Sequence, residues 1–384
     1  MRVSALLALL PLAMAAPAKR ATPAPLLKPR DAQLIEGKFI VKLTDGIKIS
    51  STSDAVTEAA EKAEHTYTDA FHGFAVELTD EEVQTLQDDP DVEYIEQDAI
   101  ISASTTVTQT GAPWGIARIS NTNSGSTTYT YDDSAGEGVC AYVIDTGIYT
   151  SHSDFGGRAS FLANYVDSSN TDGNGHGTHV AGTIGSKTYG VAKQVTLFAV
   201  KVLDSNGDGT TSGVIAGMNF VVSDSKTRSG CSNGFVANMS LGGSKSTSLN
   251  TAAANIVSAG VFLGVAAGNE ATNANTKSPA SESSACTVGA TTSSDGFASY
   301  SNYGSIVDVL APGSSITSTY NTGGTAVLSG TSMATPHVVG LAAYFMGLGQ
   351  SASGLCAYIA DLALASKISS VPSGTVNLLI HNDQ

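Results

Sequence analysis

Three short stretches of the sequence carry an acid, a base and a nucleophile beside residues that favour tight turns. Asp145 directly follows the apolar pair Val143-Ile144, His176 lies between two glycines, and Ser332 follows Gly330-Thr331. A serine hydroxyl is unreactive at its own pKa and needs an imidazole to accept its proton, and the imidazole needs a carboxylate to fix its tautomer. These residue types together predict nucleophilic catalysis by Ser332, with His176 as the base and Asp145 as the carboxylate that orients it.

The sequence around these residues alternates between short β-branched runs and stretches with helical spacing. This alternation predicts an α/β fold with a doubly wound, mostly parallel sheet, in which a site lies beyond the carboxyl ends of the strands. The predicted strands are Val139–Ile144, Thr196–Leu203, Phe235–Leu241, Val261–Ala267 and Ile306–Leu310, and the predicted helices are Thr178–Ile184, Val214–Ser223 and Thr251–Ala259.

A long apolar stretch follows Ser332, and we expect a helix to begin there. Ser332 then lies at a helix N-terminus, where free N–H groups and the helix dipole favour a developing negative charge. Pro336 fits the first turn of that helix, where a missing N–H costs nothing. A nucleophile that forms an oxyanion suits this position.

The first 16 residues have the pattern of a secretory signal, which predicts an extracellular protein. Arg2 precedes the apolar run Ala5–Met14, and small residues follow as far as Ala16. In an oxidising compartment an even number of dispersed cysteines favours two disulfides over a metal cluster. The four cysteines allow three pairings, and their spacing leaves all three open: Cys140, Cys231, Cys286 and Cys356.

The charge of the chain is acidic and unevenly distributed. The formal net charge is −15: residues 17–103 carry −10, residues 104–384 carry −6, and Arg2 supplies the remaining +1. The sequence contains no basic patch, so we expect no nucleic-acid partner. The run Ala5–Met14 is too short to span a bilayer, so we expect no membrane partner either. The change of composition near residue 103 predicts a domain boundary.

The acidic segment 36–98 predicts a separate, small α+β unit. Its predicted strands are Phe39–Leu43, Phe71–Leu78 and Val92–Ile95, and its predicted helices are Ser53–Glu64 and a helix that opens with Thr79–Glu82 and ends at Pro90. We expect Pro17–Arg30 to lack regular structure and Ala99–Thr110 to form an exposed, cleavable linker.

Three motifs resemble the signatures of the subtilisin-like serine proteases. They are Asp145-Thr146-Gly147, the stretch His176–Gly182 and the stretch Gly330–Pro336, and their order of acid, histidine and serine is the family's own. Further stretches resemble the fungal proteinase K family: Ala112-Pro113-Trp114-Gly115, Thr188–Lys193 and Gly374–Leu379. The resemblance covers essentially the whole chain. It implies a secreted, monomeric serine endopeptidase with a subtilisin-like fold, made with a signal peptide (1–16), a propeptide (17–103) and a peptidase domain (104–384).

The resemblance also implies roles for individual residues. Asn269 and the backbone N–H of Ser332 are expected to form the oxyanion hole, and Asp308 with the carbonyls of Ser283 and Ala285 to hold a structural Ca²⁺. The implied disulfides are Cys140–Cys231 and Cys286–Cys356. The implied substrate-binding residues are Gly207, Asp208 and Gly209 on one edge strand, Ser240, Leu241 and Gly242 on the other, and Ala266, Ala267 and Gly268 in a roomy specificity pocket for aliphatic or aromatic side chains.

For the N-terminal region, the resemblance implies a ferredoxin-like propeptide that acts as the enzyme's own inhibitor and chaperone. The enzyme is then expected to remove it by cutting around Ile101–Val107. The partners are otherwise protein and peptide substrates.

Four other interpretations stay open at this point. A serine esterase is disfavoured because both partner residues precede the serine in sequence. A non-catalytic binding protein is disfavoured because every catalytic position is filled. His176 and His179 could suggest a zinc pair, but no third ligand is evident. Asp204–Gly209 matches half of an EF-hand loop, but Ile215 occupies the twelfth position and cannot bind calcium.

Overall fold

The computed structural model describes residues 22–29, 34–100 and 105–384, and the chain divides into two compact units, Met1–Ser102 and Ala103–Gln384. The predicted signal peptide and the linker residues 101–104 lie outside the described residues. Within those described ranges, no helix has both the length and the apolar character needed to cross a bilayer.

The first unit is a five-stranded sheet in the order β1-β5-β2-β4-β3 with two helices. Its elements are β1 (Leu26–Leu27), β2 (Leu34–Leu43), α1 (Asp54–Glu61), β3 (His65–Tyr67), β4 (Gly73–Glu77), α2 (Asp80–Gln87) and β5 (Val92–Ala99).

Local sequence signals explain both helices of this unit. Ser53 caps α1 by accepting a hydrogen bond from the N–H of Val56, and Thr79 and Glu82 form a reciprocal capping box at the start of α2. One expectation was wrong. Pro17–Arg30 was expected to lack regular structure, but Leu26–Leu27 pairs in parallel with β5, because the backbone at the sheet edge offers it hydrogen bonds.

The second unit is built on a nine-stranded sheet in the order β19-β20-β16-β15-β13-β11-β8-β10-β9, parallel except for the β19–β20 pair. Its strands are β6 (Thr106–Thr110), β7 (Thr128–Asp132), β8 (Cys140–Asp145), β9 (Ala159–Asn164), β10 (Thr196–Lys201), β11 (Phe235–Met239), β12 (Gly243–Ser244), β13 (Phe262–Ala266), β14 (Lys277–Ser278), β15 (Cys286–Thr291), β16 (Val309–Pro312), β17 (Ile316–Thr319), β18 (Thr325–Leu328), β19 (Leu364–Ala365) and β20 (Leu378–Leu379). Its helices are α3 (Trp114–Ile119), α4 (His176–Gly185), α5 (Thr211–Asp224), α6 (Thr247–Ser258), α7 (Thr331–Gly347) and α8 (Leu355–Leu362).

The strand order reverses at β8, which makes its carboxyl end the natural place for a site. From β8 the chain passes to β9 and β10 on one side, then to β11 on the other, and continues through β13 and β15. In doubly wound sheets, ligands bind at such a switch point. Asp145 is the last residue of β8.

Both faces of this sheet are buried, as a parallel sheet requires. Alternate residues of β8 enter two separate cores: Val143 packs in the core that contains α4 and α7, and Ile144 packs in the core that contains α5 and α6. Helix α7 is buried along almost its whole length. The site elements are therefore fixed by the deepest packing of the unit.

Two further observations bear on the sequence predictions. The structure forms both disulfides that the resemblance implied, Cys140–Cys231 and Cys286–Cys356. The predicted linker is shorter than expected, because Thr106–Thr110 pairs with β7 as an antiparallel strand of the second unit. Its alternating threonines suit a paired strand as well as an exposed segment.

Candidate active site

Asp145 and His176 lie in hydrogen-bonding contact at the carboxyl end of β8. Asp145 is fully buried, and its Oδ1 lies 2.7 Å from Nδ1 of His176, the first residue of α4. The same oxygen accepts a hydrogen bond from the N–H of Thr146. A carboxylate at Nδ1 holds the proton on that nitrogen, so Nε2 is left as an acceptor. His176 thus has the tautomer of a general base.

The pKa of His176 reflects opposing influences. Burial lowers it, but the charge of Asp145 and the hydrogen bond to Asp145 raise it, and Asp172 adds a smaller rise. The net effect places the pKa of His176 above its ordinary value. The side chain is still 25% exposed, so the ring can meet a substrate.

Ser332 is the second residue of α7, at the helix N-terminus where it was expected. The position of Pro336 was predicted wrongly, because α7 begins at Thr331 and Pro336 lies inside the helix. A proline there cannot donate to the carbonyl four residues earlier, which belongs to Ser332. The hydroxyl of Ser240 fills this place and donates to that carbonyl at 2.7 Å.

Asn269 lines the same cavity as Ser332 and has a defined amide orientation. Its Oδ1 accepts hydrogen bonds from the N–H of Thr331 at 2.8 Å and from the hydroxyl of Thr331 at 3.0 Å. Because a backbone N–H can only donate, the oxygen of the amide must face Thr331. The Nδ2 group of Asn269 is therefore free to donate, as is the N–H of Ser332 in the first helical turn.

The hydroxyl of Ser332 is engaged with a backbone carbonyl in this structure. It donates to the carbonyl of Ser240 at 3.1 Å. Among the described residues, hydrogen bonds join His176 to Asp145 and Ser332 to Ser240, and none joins His176 to Ser332. Donation to His176 Nε2 therefore requires rotation of the serine side chain.

Two adjoining cavities flank these residues and share Leu241, Gly242 and Gly243 as a wall. The larger, of about 710 Å³, contains His176 and both predicted substrate segments, Gly207–Gly209 and Ser240–Gly242. Neither segment is a strand here, because β11 ends at Met239 and residues 207–209 pair with no other strand; Gly207 and Asp208 form hydrogen bonds to Asp204 within their own loop. Unpaired backbone on both sides of a cavity can accept an extended peptide between them.

The smaller cavity, of about 90 Å³, reaches Ser332 and is lined by Ala266, Ala267, Gly268 and Asn269. The expectation of a roomy specificity pocket was wrong. This cavity is much smaller than the pockets of about 300–1,000 Å³ that bind drug-sized ligands. This volume suits a single side chain.

The sequence reasoning missed two charged residues in the smaller cavity. Glu270 and Lys277 also line it, and the Nζ of Lys277 lies 3.1 Å from Oε1 of Glu270. Glu270 directly follows Asn269, so its place could have been inferred. Lys277 reaches the cavity because β14 pairs with β12, which no local pattern indicates.

Two more residues were missed beside Asp145 and His176. Asp172 is buried and accepts five hydrogen bonds, one of them from the hydroxyl of Thr146. The ammonium of Lys201, almost fully buried, donates to the carbonyl of Thr146 at 3.2 Å. Asp172 and Lys201 are charged residues in otherwise uncharged stretches, and that contrast was the available signal.

Asp308, the carboxylate expected to hold calcium, lies next to the Cys286–Cys356 disulfide. Asp308 Oδ2 accepts a hydrogen bond from the N–H of Thr287 at 2.7 Å, and the turn that contains Ser283 and Ala285 immediately precedes β15. Burial raises the pKa of Asp308 to about 6, and the hydrogen bond from Thr287 offsets only part of this rise. A carboxylate is the kind of hard oxygen ligand that Ca²⁺ prefers, and backbone carbonyls are another.

The other metal hypotheses have no geometric support. His179 is fully buried and its Nε2–H donates to the carbonyl of Ile316 at 2.9 Å. The carboxylate of Asp204 caps its own loop by accepting from the N–H groups of Asn206 and Asp208. In the described ranges, the one group of three potential metal ligands is Asp308 with the two disulfide-bonded cysteines beside it.

Comparison with known proteins gives matches to both units. The sequence profile of the Subtilase family matches residues 136–354, and that of the Peptidase inhibitor I9 family matches residues 38–104. The chain is 54% identical to a cuticle-degrading protease of Metarhizium anisopliae over 100% of both chains. It is 63% identical to proteinase T of Parengyodontium album over 76% of this chain and 99% of that one. A crystal structure of a cold-adapted subtilisin-like serine proteinase matches with a TM-score of 0.67 and 44% identity, covering 72% of this chain and 100% of that one.

Proposed function

This chain belongs to the subtilase family and is a serine-type endopeptidase, and from this premise we propose that Asp145, His176 and Ser332 hydrolyse the peptide bond. The observation that carries the proposal is the 2.7 Å contact between Asp145 and His176 at the switch point of the sheet. It supports the assignment because it leaves Nε2 of His176 as a proton acceptor.

In the proposed reaction, Ser332 Oγ turns from the Ser240 carbonyl, gives its proton to His176 Nε2 and attacks the substrate carbonyl carbon. The resulting oxyanion accepts hydrogen bonds from Asn269 Nδ2 and from the N–H of Ser332. The C–N bond breaks when His176 returns the proton to the leaving amine. Water, deprotonated by His176, then hydrolyses the acyl-enzyme by the same steps.

Active-site labelling and caseinolysis test this assignment. We expect Ser332→Ala to abolish labelling by a serine-directed phosphonate and to lower casein hydrolysis at least a thousandfold. The matched control is Ser329→Ala, which removes an exposed hydroxyl three residues away that accepts only from the N–H of Ser315. Labelling that persists in Ser332→Ala would place the nucleophile elsewhere.

We propose that the substrate backbone lies between Gly207–Gly209 and Ser240–Gly242, and that an aliphatic or aromatic side chain enters the smaller cavity. The Glu270–Lys277 ion pair supports an apolar preference because the two charges cancel at the cavity wall. A peptide series that varies only the residue before the cut bond tests this. We expect leucine and phenylalanine to be cut faster than arginine and glutamate, and the reverse order would contradict the proposal.

We propose that the signal peptide (1–16) directs secretion and that Ser332 cuts the propeptide (17–103) from the peptidase domain (104–384). The match of residues 38–104 to an inhibitor family supports an inhibitory and chaperone role for the domain at 36–98. The Ser332→Ala chain should be secreted as an uncut precursor from a host without extracellular proteases. Trimming of this variant near residue 104 would show that another enzyme does the processing.

We propose that Asp308 and the carbonyls of Ser283 and Ala285 hold a structural Ca²⁺. An ion bound only by the folded state stabilises it by RT ln(1 + [L]/Kd). Chelation should therefore lower the Tm of the mature enzyme, and Asp308→Asn should remove that effect. Asp361→Asn, an exposed acid of α8, serves as the control. If chelation lowers the Tm of Asp308→Asn as much as that of the unsubstituted enzyme, the ion is bound at another site.

A further inference from the structure

Asp172 is a buried carboxylate that the reaction as described does not use. It is 4% exposed and lies in the loop before α4. Its Oδ1 accepts hydrogen bonds from the Thr146 hydroxyl at 2.8 Å, the Asn174 N–H at 3.0 Å and the Gly175 N–H at 2.8 Å. Its Oδ2 accepts from the N–H of Thr178 at 2.8 Å and from its hydroxyl at 2.6 Å. Five donors fix both oxygens of one side chain.

Two of the residues that donate to Asp172 directly adjoin the proposed acid and base in sequence. Thr146 follows Asp145, and Gly175 precedes His176. The Thr146 hydroxyl also accepts a hydrogen bond from the N–H of Gly177 at 2.9 Å. A continuous set of hydrogen bonds therefore joins the end of β8 to the first turn of α4.

The charge of Asp172 also counteracts the effect of the α4 helix dipole on protonated His176. His176 is the first residue of α4, where the positive end of the helix dipole disfavours an imidazolium. Asp172 places a negative charge at this end of the helix, and its charge raises the pKa of His176, after the larger influences of burial and Asp145. The same side chain can thus fix the geometry and favour the protonated state that catalysis passes through.

We propose that Asp172 is a positioning residue of the hydrolysis. It holds Asp145 and His176 in their hydrogen-bonding positions and favours the imidazolium that forms when Ser332 loses its proton. This inference rests on the proposed function, because it presumes that His176 is the base. Asp172 acts through the two residues and touches no reacting atom.

The test compares kcat, KM and the pH profile of two substitutions. Asp172→Asn keeps the size of the side chain and removes its charge; we expect kcat to fall about 10- to 100-fold, because small misplacements of catalytic groups have effects of this order. KM should change less than threefold. The acidic limb of kcat/KM should move to lower pH, because the lost negative charge had raised the pKa of His176. A loss of Tm with kcat and the limb unchanged would reduce Asp172 to a structural role and overturn the proposal.

A second pair of variants keeps the proposal testable if Asp172→Asn does not fold. Thr146→Val removes the hydroxyl that joins Asp172 to the N–H of Gly177, and it should lower kcat, whereas Thr146→Ser should restore most of it. Wild-type kcat in Thr146→Val would overturn the proposal.

Thr183→Val is the matched control for these variants. Thr183 is a buried threonine of the same helix whose hydroxyl donates only to the carbonyl of His179, so its replacement should leave kcat and the acidic limb unchanged. The failure of the proposed function gives a different result, because it would leave activity in Ser332→Ala.

Discussion

Two helices begin at the site: His176 is the first residue of α4, and Ser332 is the second residue of α7. The groups that accept hydrogen bonds from their N-termini differ in charge. At α4 a carboxylate, that of Asp172, accepts from the backbone N–H groups of the first turn. At α7 a neutral amide, that of Asn269, accepts from the N–H of Thr331. Both satisfy donors that a helix start leaves free.

We relate the difference to the charge that each helix meets during the proposed reaction. His176 becomes positive, so an anion at the start of α4 is favourable. Ser332 lies where an oxyanion forms, and a carboxylate there would repel it. The neutral cap of α7 leaves the N–H of Ser332 and the helix dipole available to the substrate. Each of the following predictions changes one side of this comparison.

The largest effect is expected at the neutral cap. Asn269→Ala should lower kcat about 10²–10³-fold with little change in KM, a range established for this donor in a subtilisin, a relative of this chain. Asn269→Asp should lower kcat at least as far, because it removes the donor and adds a repelling charge. Steady-state kinetics on a peptide substrate measure both, with the exposed α6 residue Asn255→Ala as control. A kcat of Asn269→Asp above that of Asn269→Ala would contradict the need for a neutral cap.

The second prediction uses the other histidine of each helix. His179 in α4 and His337 in α7 are buried, and burial lowers the pKa of each to about 4. In the unfolded chain their pKa is about 6.5. The contribution of the two neutral histidines to the free energy of unfolding is therefore fully present above pH 6.5. It is lost as the pH falls towards 4, because the unfolded chain then binds protons that the folded state excludes. The loss is at most about 3 kcal/mol for each residue.

Urea unfolding of the Ser332→Ala precursor, which cannot digest itself, measures this loss. The free energy of unfolding should fall between pH 6.5 and pH 5, and His179→Gln and His337→Gln should each reduce the slope. The exposed His65 of the first unit provides the control substitution. A free energy of unfolding that stays constant between pH 6.5 and pH 5 would show that the two buried histidines do not control the pH dependence of stability.

The third prediction concerns His176, the proposed base, whose pKa shifts in the opposite direction. Since the pKa of His176 is raised and its neutral form is the base, the acidic limb of kcat/KM should lie above about pH 6.5. Below the limb, kcat/KM should fall about tenfold per pH unit, and activity should persist in mild alkali. A pH–rate profile of the mature enzyme measures the limb, and an optimum near pH 4 would exclude His176 as the base.

The comparison of α4 with α7 also separates what the sequence predicted from what it did not. The places of Asp145, His176 and Ser332 in the fold were predicted correctly, because each lies at a strand end or helix start that local residues encode. The predicted strands and helices of the sheet matched for the same reason, with ends displaced by a few residues. The first helix of the small unit, for example, was predicted as Ser53–Glu64 and spans Asp54–Glu61.

The missed features depend on contacts between distant parts of the chain. Ser240 and Ser332 are 92 positions apart, and their hydrogen bond is formed only in the folded unit. The predicted place of Pro336 in the first turn of α7 was wrong for the same reason, because that contact makes an internal proline tolerable. The Glu270–Lys277 pair depends likewise on the pairing of β12 with β14.

The smallest expected effect concerns this internal proline, Pro336. Because it lacks an N–H, the neutral side chain of Ser240 supplies a hydrogen bond that the backbone of α7 cannot form. Pro336 has no N–H for the carbonyl of Ser332, and the Ser240 hydroxyl donates to it while accepting from Asn238 Nδ2 at 2.9 Å. Ser240→Ala removes two hydrogen bonds, each worth about 1 kcal/mol, and should lower the free energy of unfolding by about 2 kcal/mol. In a Pro336→Ala background the new backbone N–H can reach the Ser332 carbonyl, so the same substitution should cost only about 1 kcal/mol. A double-mutant cycle in the Ser332→Ala precursor measures this coupling directly. Equal costs in the two backgrounds would mean that Ser240 does not replace the missing donor, and that another feature of the packing accommodates the proline.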